Sequence, residues 1–392
     1  MSSNRELFLK HVAQTSDFPM ALEITHGDEH FLFDVNGKKY LDLISGISVS
    51  NFGHANHSIV YAVKRQAENN MHAMVYGEYV LSPQVELAKR LAKHLPANLS
   101  SVFFVNSGSE AVEGAIKLVR RYTGRTKIIS FNNSYHGATT GAMALGGGEE
   151  MRNSFRPIMP DIVRIDYNKP ELLDCIDEHT AAVFMEPVQA EAGCIVPDKA
   201  YLEKVRDLCT QHGALLVFDE IQTGYGRCGK LYALHHFNVI PDVLLTAKAF
   251  GAGMPLGAFI SSPQIMSCLK TNPVLGHITT FGGHPVSCAA SIAGLTLLTE
   301  TELVYRVKSK GKLFTDLLSA NKKIKEVRGL GLLLAIQLND FDHVQKVIHA
   351  ALEKGIIVDW FLYNNSCVRI APPLTITENE IKEACEKLNS II

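Results

Sequence analysis

One stretch of this chain, VFFVNSGSEAVEGAIKLV at residues 102–119, joins an apolar run to a short polar turn and then to a segment with helical spacing. Five further short apolar runs follow, and helix-like segments at residues 110–122, 171–178 and 201–212 lie between the runs. Most of the runs are continuous rather than alternating, which is typical of strands covered on both faces. This repetition predicts an α/β fold with a mainly parallel sheet and right-handed crossovers. The further runs lie at residues 127–131, 181–185, 214–218, 243–246 and 257–260.

The two ends of the chain have a different pattern. The dipeptide Asn36-Gly37 lies between two short strand-like runs and predicts a hairpin, because Asn-Gly is the strongest short hairpin signal. We expect a large domain at residues 51–289 and a smaller α+β domain built from residues 1–50 together with residues 290–392. The predicted C-terminal elements are a helix at 286–299, strands at 331–337 and 367–370, and helices near 340–354 and 377–390.

Composition argues against several classes of function. The chain has 392 residues, 20% of them charged, and a formal net charge of −2, whereas nucleic-acid binders usually carry a marked basic excess. No apolar run is long enough to span a bilayer, so neither a nucleic acid nor a membrane is an expected partner. The eight cysteines form no CxxC pair and the N-terminus lacks an apolar signal core, which favours reduced thiols in the cytoplasm.

Two local patterns are weaker than they first look. The adjacent histidines His235 and His236 point in different directions on any regular element, so no metal site is expected. Residues 224–229 match GxGxxG, but they do not follow a strand directly and no long helix comes after them. Dinucleotide binding is therefore not expected either.

Polar side chains follow four of the predicted strands. The first is followed by Ser107-Gly108-Ser109 at a helix start, two others by Glu186 and by Asp219, and a fourth by Lys248. In an open parallel sheet, ligands bind beyond the carboxyl ends of the strands. An anion-binding turn, two carboxylates and a lysine are thus predicted to lie along one edge.

The types of these residues indicate a particular chemistry. A lysine among small and apolar neighbours, as Lys248 is, has a lowered pKa and suits a Schiff base. Asp219 ends an apolar strand and needs a cation beside it, such as a protonated ring nitrogen. With the helix start as a phosphate cup, these features match the binding requirements of pyridoxal phosphate. Taken singly, each residue also has a structural interpretation, as a helix cap for Ser107 or Asp219 and as a surface lysine for Lys248.

In its motifs the chain resembles the class-III aminotransferases, the ornithine, acetylornithine and 4-aminobutyrate type of fold-type-I pyridoxal-phosphate enzymes. The resemblance covers nearly the whole length, and the order and spacing of the motifs make chance agreement negligible. It implies a mainly parallel large-domain sheet with a smaller α+β domain. The motifs are residues 34–40, 106–111, 135–137, 186–189, 219–227, 247–258, 279–285 and 368–373.

The resemblance implies roles around the cofactor. Lys248 would form the Schiff base and move the proton, and Asp219 would keep the ring nitrogen protonated. Gln222 would bond the phenolic oxygen and Tyr135 would stack on the ring. The resemblance places the other cofactor contacts at Ser107, Gly108 and Ser109 for the phosphate, at His136 and at Glu186.

It also implies roles for the substrate and a partner. Thr280 would reach the phosphate of the other subunit, which makes a homodimer with shared active sites the expected unit. Arg369 would bind a substrate carboxylate, and Glu191 would pair with Arg369 when an ω-amino substrate occupies the site. Ile47 stands where ornithine-type enzymes have a tyrosine and would belong to the substrate pocket.

The departures concern the amino donor. Many of these enzymes have an arginine for a second carboxylate where this chain has Ala138, and Ala190 stands where glycine is usual. We expect acetylornithine and 4-aminobutyrate to be poor donors, because neither finds the second cation. The residues considered as replacements are His11, His26, Met74, Tyr76, Tyr79 and Arg156.

The expected reaction is ping-pong transfer of an amino group from an amine or amino acid, possibly an ω-amine, to a 2-oxo acid, with 2-oxoglutarate as the foremost acceptor. A racemase, aminomutase or decarboxylase on the same fold is the alternative. A non-catalytic binding protein is less compatible with the sequence, because both Lys248 and Asp219 are present.

Overall fold

The computed structural model describes residues 3–75 and 77–392. Its strands in chain order are β1 (Ile24–Asp28), β2 (Phe31–Asp34), β3 (Lys39–Asp42), β4 (Ser101–Val105), β5 (Lys127–Phe131), β6 (Ile162–Ile165), β7 (Thr180–Met185), β8 (Leu215–Asp219), β9 (Val243–Thr246), β10 (Gly257–Ser261), β11 (Glu326–Leu330), β12 (Leu333–Gln337), β13 (Ile356–Ile357), β14 (Asp359–Phe361) and β15 (Asn364–Ile370). The longer helices are Asn4–His11, His57–Asn69, Ser82–His94, Gly108–Thr123, Lys199–His212, Pro285–Thr299, Leu303–Ser319, Phe341–Glu353 and Glu378–Ile391.

The central sheet has the order β4-β10-β9-β8-β7-β5-β6. The neighbours from β9 through β8, β7 and β5 to β6 run parallel, and β10 runs antiparallel to both of its neighbours. The α/β class with a mainly parallel sheet is therefore confirmed. Because β4 is antiparallel to β10, it points the same way as β9, and the carboxyl ends of these strands share one edge.

Both faces of this sheet are covered, as the continuous apolar runs predicted. In β7, Val183 and Met185 lie in the core on one side of the sheet. Ala182 and Phe184 alternate with them and pack on the other side, where the helix Gly108–Thr123 contributes Val112. Burial of each such large apolar side chain stabilises the fold by about 1.5–3 kcal/mol.

The two ends of the chain meet in a smaller sheet. The hairpin predicted at Asn36-Gly37 forms between β2 and β3, and Gly37 has a φ of +77° that suits glycine in the turn. The C-terminal strand β13 then adds to β3 in parallel, in the order β1-β2-β3-β13. Another sheet, in the order β11-β12-β15-β14, is antiparallel throughout.

In the C-terminal part, β11, β13 and β14 were not predicted, and the strand predicted at 331–337 begins at Leu333. Two elements between β5 and β7 also differ from the sequence-based expectation. The edge strand β6 was not predicted, because it is short and Arg164 interrupts its apolar run. The helix predicted at 171–178 is a 3₁₀ helix at Pro170–Cys175. Both lie away from the edge where the polar residues collect.

The turn at residues 45–48 has an unusual backbone. Its four residues, Ser45, Gly46, Ile47 and Ser48, all have φ between +43° and +62°. A left-handed conformation costs a residue with a side chain roughly 1–2 kcal/mol. The turn is held in place because Oδ1 of Asp42 accepts hydrogen bonds from the backbone N–H groups of Ile44 (2.9 Å) and Ser45 (2.7 Å).

Within residues 3–75 and 77–392, no helix combines the length and the apolar character needed to cross a membrane. All eight cysteines are free thiols. The same residues contain no group of three or more histidine, cysteine or acidic side chains placed to hold a metal ion.

Candidate active site

The carboxyl ends of β7, β8 and β9 and the loop after β4 open on one cavity of about 360 Å³. The strand register sets this arrangement, since Met185 pairs with Phe218 and Asp219 with Leu245. The residues that follow these strands are therefore brought side by side. The predicted cofactor residues that line the cavity are Ser107, Gly108, Ser109, Tyr135, His136, Glu186, Asp219, Gln222 and Lys248.

The helix Gly108–Thr123 begins at the cavity wall. Ser107 is its N-cap and accepts a hydrogen bond from the N–H of Glu110 at 3.2 Å. The first N–H groups of a helix have no intrahelical acceptor, and they attract an anion together with the helix dipole. Gly108 lies so close to Ile221 that an added Cβ would come within 2.8 Å of that side chain. Ser109 Oγ accepts a hydrogen bond from the N–H of Ala138 at 3.1 Å, which fixes the loop opposite.

Lys248 lies just beyond the end of β9, at a φ of +52° that is uncommon for a residue with a side chain. Its Nζ donates a hydrogen bond to Oε1 of Gln222 at 3.0 Å. Burial lowers the pKa of the Lys248 ammonium, and the nearby charge of Arg369 lowers it further, although Glu191 acts in the opposite direction. A lowered pKa increases the fraction of free amine, which is the nucleophilic form.

Asp219 and His136 form a buried pair at the end of β8. The His136 Nδ1 and the Asp219 Oδ2 are 2.7 Å apart, and Asp219 Oδ1 accepts a hydrogen bond from the N–H of Ile221 at 3.0 Å. Burial alone would lower the pKa of His136, but the hydrogen bond and the charge of Asp219 raise it above its usual value. The Asp219 carboxylate thus has the imidazole of His136 as its buried partner.

Glu186 joins three segments of the cavity wall. It follows β7 and accepts hydrogen bonds from the N–H groups of Tyr135 (3.1 Å) and Ala190 (2.9 Å). Burial raises the pKa of its carboxyl to about 7, and the negative charge of Asp219 also raises it. Glu186 therefore orders the segment that carries Tyr135, whose ring lies at the cavity wall and is partly exposed.

Arg369 lies on β15, outside the lining of the cavity, in a fully buried ion pair. Its Nη1 and Nη2 donate to the two carboxylate oxygens of Glu191 at 2.8 and 2.9 Å, which is a bidentate fork. Its Nε lies 3.0 Å from Oδ1 of Asp359, an ion pair whose angle is not that of a hydrogen bond. Although burial lowers the pKa of Arg369, Asp359 and Glu191 together raise it above its usual value.

Several predicted residues lie elsewhere. Thr280 is exposed and does not line the cavity of its own chain, although its carbonyl oxygen bonds His72 Nε2 at 2.9 Å. Ile47 is also outside the lining, whereas Val49, two residues further on, is part of it. Of the residues considered as a second cation site, Tyr76 lies outside the described residues. The others, which do not line the cavity, are His11, His26, Met74, Tyr79 and Arg156.

Sequence reasoning missed Asp359, Val49 and Asn106. Asn106 lines the cavity and is fixed by Glu110, whose Oε2 accepts hydrogen bonds from its backbone N–H (2.7 Å) and its Nδ2 (2.9 Å). Asp359 is the cross-strand partner of Arg369 in the hairpin of β14 and β15. The only sequence signal for that contact is the register of the hairpin, which a bulge between Trp360 and Phe361 shifts.

Fold and cavity are those of an enzyme that holds a phosphorylated cofactor beside a lysine. The sequence model of the family "Aminotransferase class-III" matches residues 12–392. The acetylornithine aminotransferase of Methanopyrus kandleri is 38% identical over 387 residues, 98% of this chain and 97% of that protein. The acetylornithine aminotransferase of Bacillus subtilis is 38% identical over 376 residues, 95% of each chain.

Solved structures agree with these matches. A transaminase from a marine Virgibacillus superposes with a TM-score of 0.94 at 30% identity, covering 100% of this chain and 98% of that one. The ornithine aminotransferase of Toxoplasma gondii superposes with a TM-score of 0.91 at 30% identity, covering 100% and 95%. The chain belongs to the class-III aminotransferases. It is a transaminase that uses pyridoxal 5′-phosphate, which confirms the predicted family, enzyme class and cofactor.

The residues of the cavity fit this cofactor. Within the described residues, Nε2 of His136 and Nε2 of Gln222 are buried without a hydrogen-bond partner. A ligand in the cavity can satisfy such atoms, which are costly to leave unpaired. The helix start at Ser107 and Gly108 provides N–H groups for a phosphate, and Lys248 provides an amine for the aldehyde.

The Asp219–His136 pair yields a test in the cofactor-free protein. In Asp219→Asn, the carboxylate charge that raises the pKa of His136 is removed, so burial dominates and this pKa falls below its wild-type value. NMR titration of ¹³C-labelled histidine measures it, with the signal assigned by its loss in His136→Gln. Asp207→Asn, an exposed charge change, is the matched control. An unchanged His136 pKa in Asp219→Asn would contradict the interpretation.

Proposed function

We propose that this transaminase uses 2-oxoglutarate as its amino acceptor and an amino donor without a second carboxylate near Ala138. The observation that carries the acceptor assignment is the buried fork of Arg369 and Glu191. Both side chains influence the pKa of Lys248, which lines the cavity. A 2-oxo acid offers a planar carboxylate of the kind that a guanidinium fork binds in two places.

Lys248 is the proposed catalytic residue. Its lowered pKa supports attack of the free amine on a carbonyl and movement of a proton between Nζ and the substrate carbon. The hydrogen bond to Gln222 holds Nζ in the cavity. When bound, pyridoxal phosphate supplies an electron-withdrawing ring that stabilises negative charge on that carbon.

The remaining wall residues bind and orient. Asp219, paired with His136, would hold a proton on the ring nitrogen, and Gln222 would use its unpaired Nε2 for the phenolic oxygen. Tyr135, whose backbone N–H donates to Glu186, would stack on the ring. The turn at residues 107–109 would bind the phosphate, because the helix start provides N–H groups and a favourable dipole.

Glu191 and Arg369 let one site accept two kinds of substrate in turn. With the fork closed, Glu191 occupies Nη1 and Nη2 of Arg369, and the site suits the uncharged carbon chain of an ω-amino donor. When Glu191 moves away, the guanidinium is free for the α-carboxylate of the acceptor. This alternation fits the proposed ping-pong order, in which the first product leaves before the second substrate binds Arg369.

Ala138 limits the donor. It is exposed in the loop opposite Ser109 and carries no charge, and none of the other cations considered lines the cavity. Relatives at 35–38% identity are named acetylornithine aminotransferase, which supports the reaction type. The absence of a cation at position 138 argues against acetylornithine and 4-aminobutyrate as good donors. Ile47, near the cavity residue Val49, is proposed to shape the donor pocket.

An exposed apolar patch supports the homodimer. Its proposed members are exposed apolar residues of two segments, and Val80 and Val274 among them are 89% and 72% exposed; they are Met71, Tyr79, Val80, Val85, Val274 and Phe281. The bond from His72 to the Thr280 carbonyl ties the two segments of the patch together. Large exposed apolar patches mark interfaces. We propose that the patch pairs with a second copy, which brings Thr280 to the partner's phosphate site.

We also propose a division into two domains and a cellular location. Pairing of β13 with β3 supports a small domain built from residues 1–50 and 290–392 around a large domain at residues 51–289. Eight free cysteines support a reducing compartment, and hence the cytoplasm.

Replacement of Lys248 tests the central assignment. Lys248→Ala should lower transamination by on the order of a thousandfold or more, because both the covalent and the proton-transfer contributions are lost. Borohydride should attach the cofactor to a Lys248 peptide in the wild type and to nothing in the variant, as read by mass spectrometry. Lys322→Ala is the control, because Lys322 is exposed and does not line the cavity. A variant that kept the reducible adduct would show that another lysine carries it.

The donor assignment has its own test. Wild-type protein should turn over acetylornithine slowly with 2-oxoglutarate, and Ala138→Arg should raise kcat/KM for acetylornithine by about tenfold or more, since a bidentate arginine–carboxylate contact is formed. Glutamate release measures both, and Ala138→Gln is the uncharged control. Acetylornithine turnover by the wild type at the rate of its best donor would refute the assignment.

The dimer is tested by mass and by cofactor binding. Light scattering should give a particle of twice 43.1 kDa for the wild type. The double variant Val80→Asp/Val274→Asp should dissociate and bind pyridoxal phosphate more weakly by about tenfold or more, because charges enter the patch and Thr280 of the second copy is lost. Tyr305→Asp, at another exposed position, should change neither. A monomeric wild type, or a double variant that stays dimeric, would overturn the proposal.

A further inference from the structure

We propose that Asp359 is a positioning residue for Arg369, which keeps the buried guanidinium in place and neutralised while Glu191 leaves to admit the acceptor carboxylate. This inference rests on the proposed binding of the 2-oxo acid by Arg369. It concerns a residue that touches neither the cavity nor the substrate and acts through another side chain.

Four of the described residues contact the guanidinium of Arg369. The fork formed by Nη1 and Nη2 faces Glu191, and Nε faces Asp359 at 3.0 Å. Nη2 also donates to the carbonyl oxygen of Trp360 at 3.1 Å, and the plane lies over the ring of Phe361, 4.5 Å from its centre. Only the Glu191 fork has the two parallel donors that a substrate carboxylate needs.

The carboxylates of Asp359 and Glu191 are held by different parts of the fold. Asp359 lies on β14 directly opposite Arg369 on β15, so the strand pairing fixes their separation. Glu191 lies in the connection after β7 and belongs to no strand. Its Oε2 accepts a further hydrogen bond from the N–H of Leu362 at 3.1 Å, and its carbonyl oxygen accepts one from the N–H of Tyr363 at 3.1 Å. In this proposal, rotation of the Glu191 side chain opens the fork while both backbones stay in place. The contact with Asp359 persists as long as the hairpin is intact.

The charges explain why a second carboxylate is useful. A buried guanidinium that loses its only partner is an uncompensated charge, which is strongly unfavourable. With Asp359 in place, Arg369 remains formally neutralised when Glu191 moves. Without Asp359, the flexible arginine side chain would follow Glu191 and the fork would be misplaced for the substrate.

Asp359 also weakens the binding of a carboxylate to Arg369, but it does so equally for Glu191 and for the substrate. Its negative charge repels the incoming substrate carboxylate and so weakens binding to Arg369. It repels the carboxylate of Glu191 in the same way, and the substrate replaces Glu191 on the same atoms. The exchange of one carboxylate for another therefore leaves the positioning effect as the net contribution. Burial raises the pKa of Asp359 to about 6, so assays at pH 8 keep it ionised.

The test separates the two half-reactions of the holoenzyme at pH 8. Asp359→Asn should raise KM for 2-oxoglutarate by about tenfold and leave kcat and the donor KM within about twofold, because the donor uses the site with the fork closed. Asp342→Asn, an exposed charge change in the neighbouring helix, is the matched control. An unchanged acceptor KM, or an equal rise in both KM values, would overturn the proposal.

A double-mutant cycle distinguishes positioning from structural support. Glu191→Gln removes the carboxylate charge that attracts the guanidinium of Arg369. In this background, Asp359→Asn should therefore raise the acceptor KM by less than about threefold. The same increase in both backgrounds would mean general support of the fold and would refute the inference. If Asp359→Asn does not fold, Asp359→Glu replaces it. This variant should raise the acceptor KM by about threefold or more, since the longer side chain displaces the fork; an unchanged value would count against the inference.

Arg369→Lys distinguishes this inference from the proposed function. Lysine lacks the planar fork, so this variant should raise the acceptor KM if Arg369 binds the 2-oxo acid at all. If Arg369→Lys has no effect, the proposed acceptor site is wrong. If Arg369→Lys raises KM and neither Asp359 variant does, only the role of Asp359 is wrong.

Discussion

The site depends on the parallel alignment of β7, β8 and β9. Their register pairs Met185 with Phe218 and Asp219 with Leu245, so each strand ends beside its neighbour. Side chains that follow the strands must therefore converge, whatever the loops do afterwards. The hydrogen-bonded backbone and the buried apolar side chains on both faces keep this alignment rigid. Glu186, Asp219 and Lys248 owe their mutual positions to it.

Two buried charge systems influence the pKa of Lys248 at this edge, and they differ in kind. Asp219 and His136 form a closed pair inside the cavity wall, with one further backbone hydrogen bond to the carboxylate. Arg369 stands between two carboxylates on different elements, one held by strand pairing and one by a connection. The Asp219–His136 pair has no partner to exchange, which suits a site whose charge stays constant. Arg369 can exchange Glu191 for a substrate carboxylate in the proposed reaction, which suits a site that binds two substrates in turn. Lys248 feels the charges of both systems.

Much of the sheet and of the cavity follows from local sequence. Continuous apolar runs mark the inner strands, and Ser107, Asp219 and Lys248 come just after such runs, so topology alone brings them together. Arg369 and Glu191 are different, because nearly 180 positions separate them and only the family resemblance pairs them. Asp359 could not be predicted, since its contact depends on a shifted hairpin register. The edge strand β6 was missed because a single arginine breaks its short apolar run.

The left-handed turn at residues 45–48 has a consequence for how the pocket can evolve. Its backbone is set by Asp42 and by neighbouring segments, and Ile47 already occupies a conformation that disfavours every residue with a Cβ. Exchange of one side chain for another at position 47 therefore adds little new backbone cost. Position 47 lies two residues before Val49, which lines the cavity. The side chain at position 47 can therefore vary while the carboxyl edge of the central sheet stays unchanged. If Ile47 shapes the donor pocket as proposed, donor range and the residues at the carboxyl edge of the sheet are separable targets of selection within one chain.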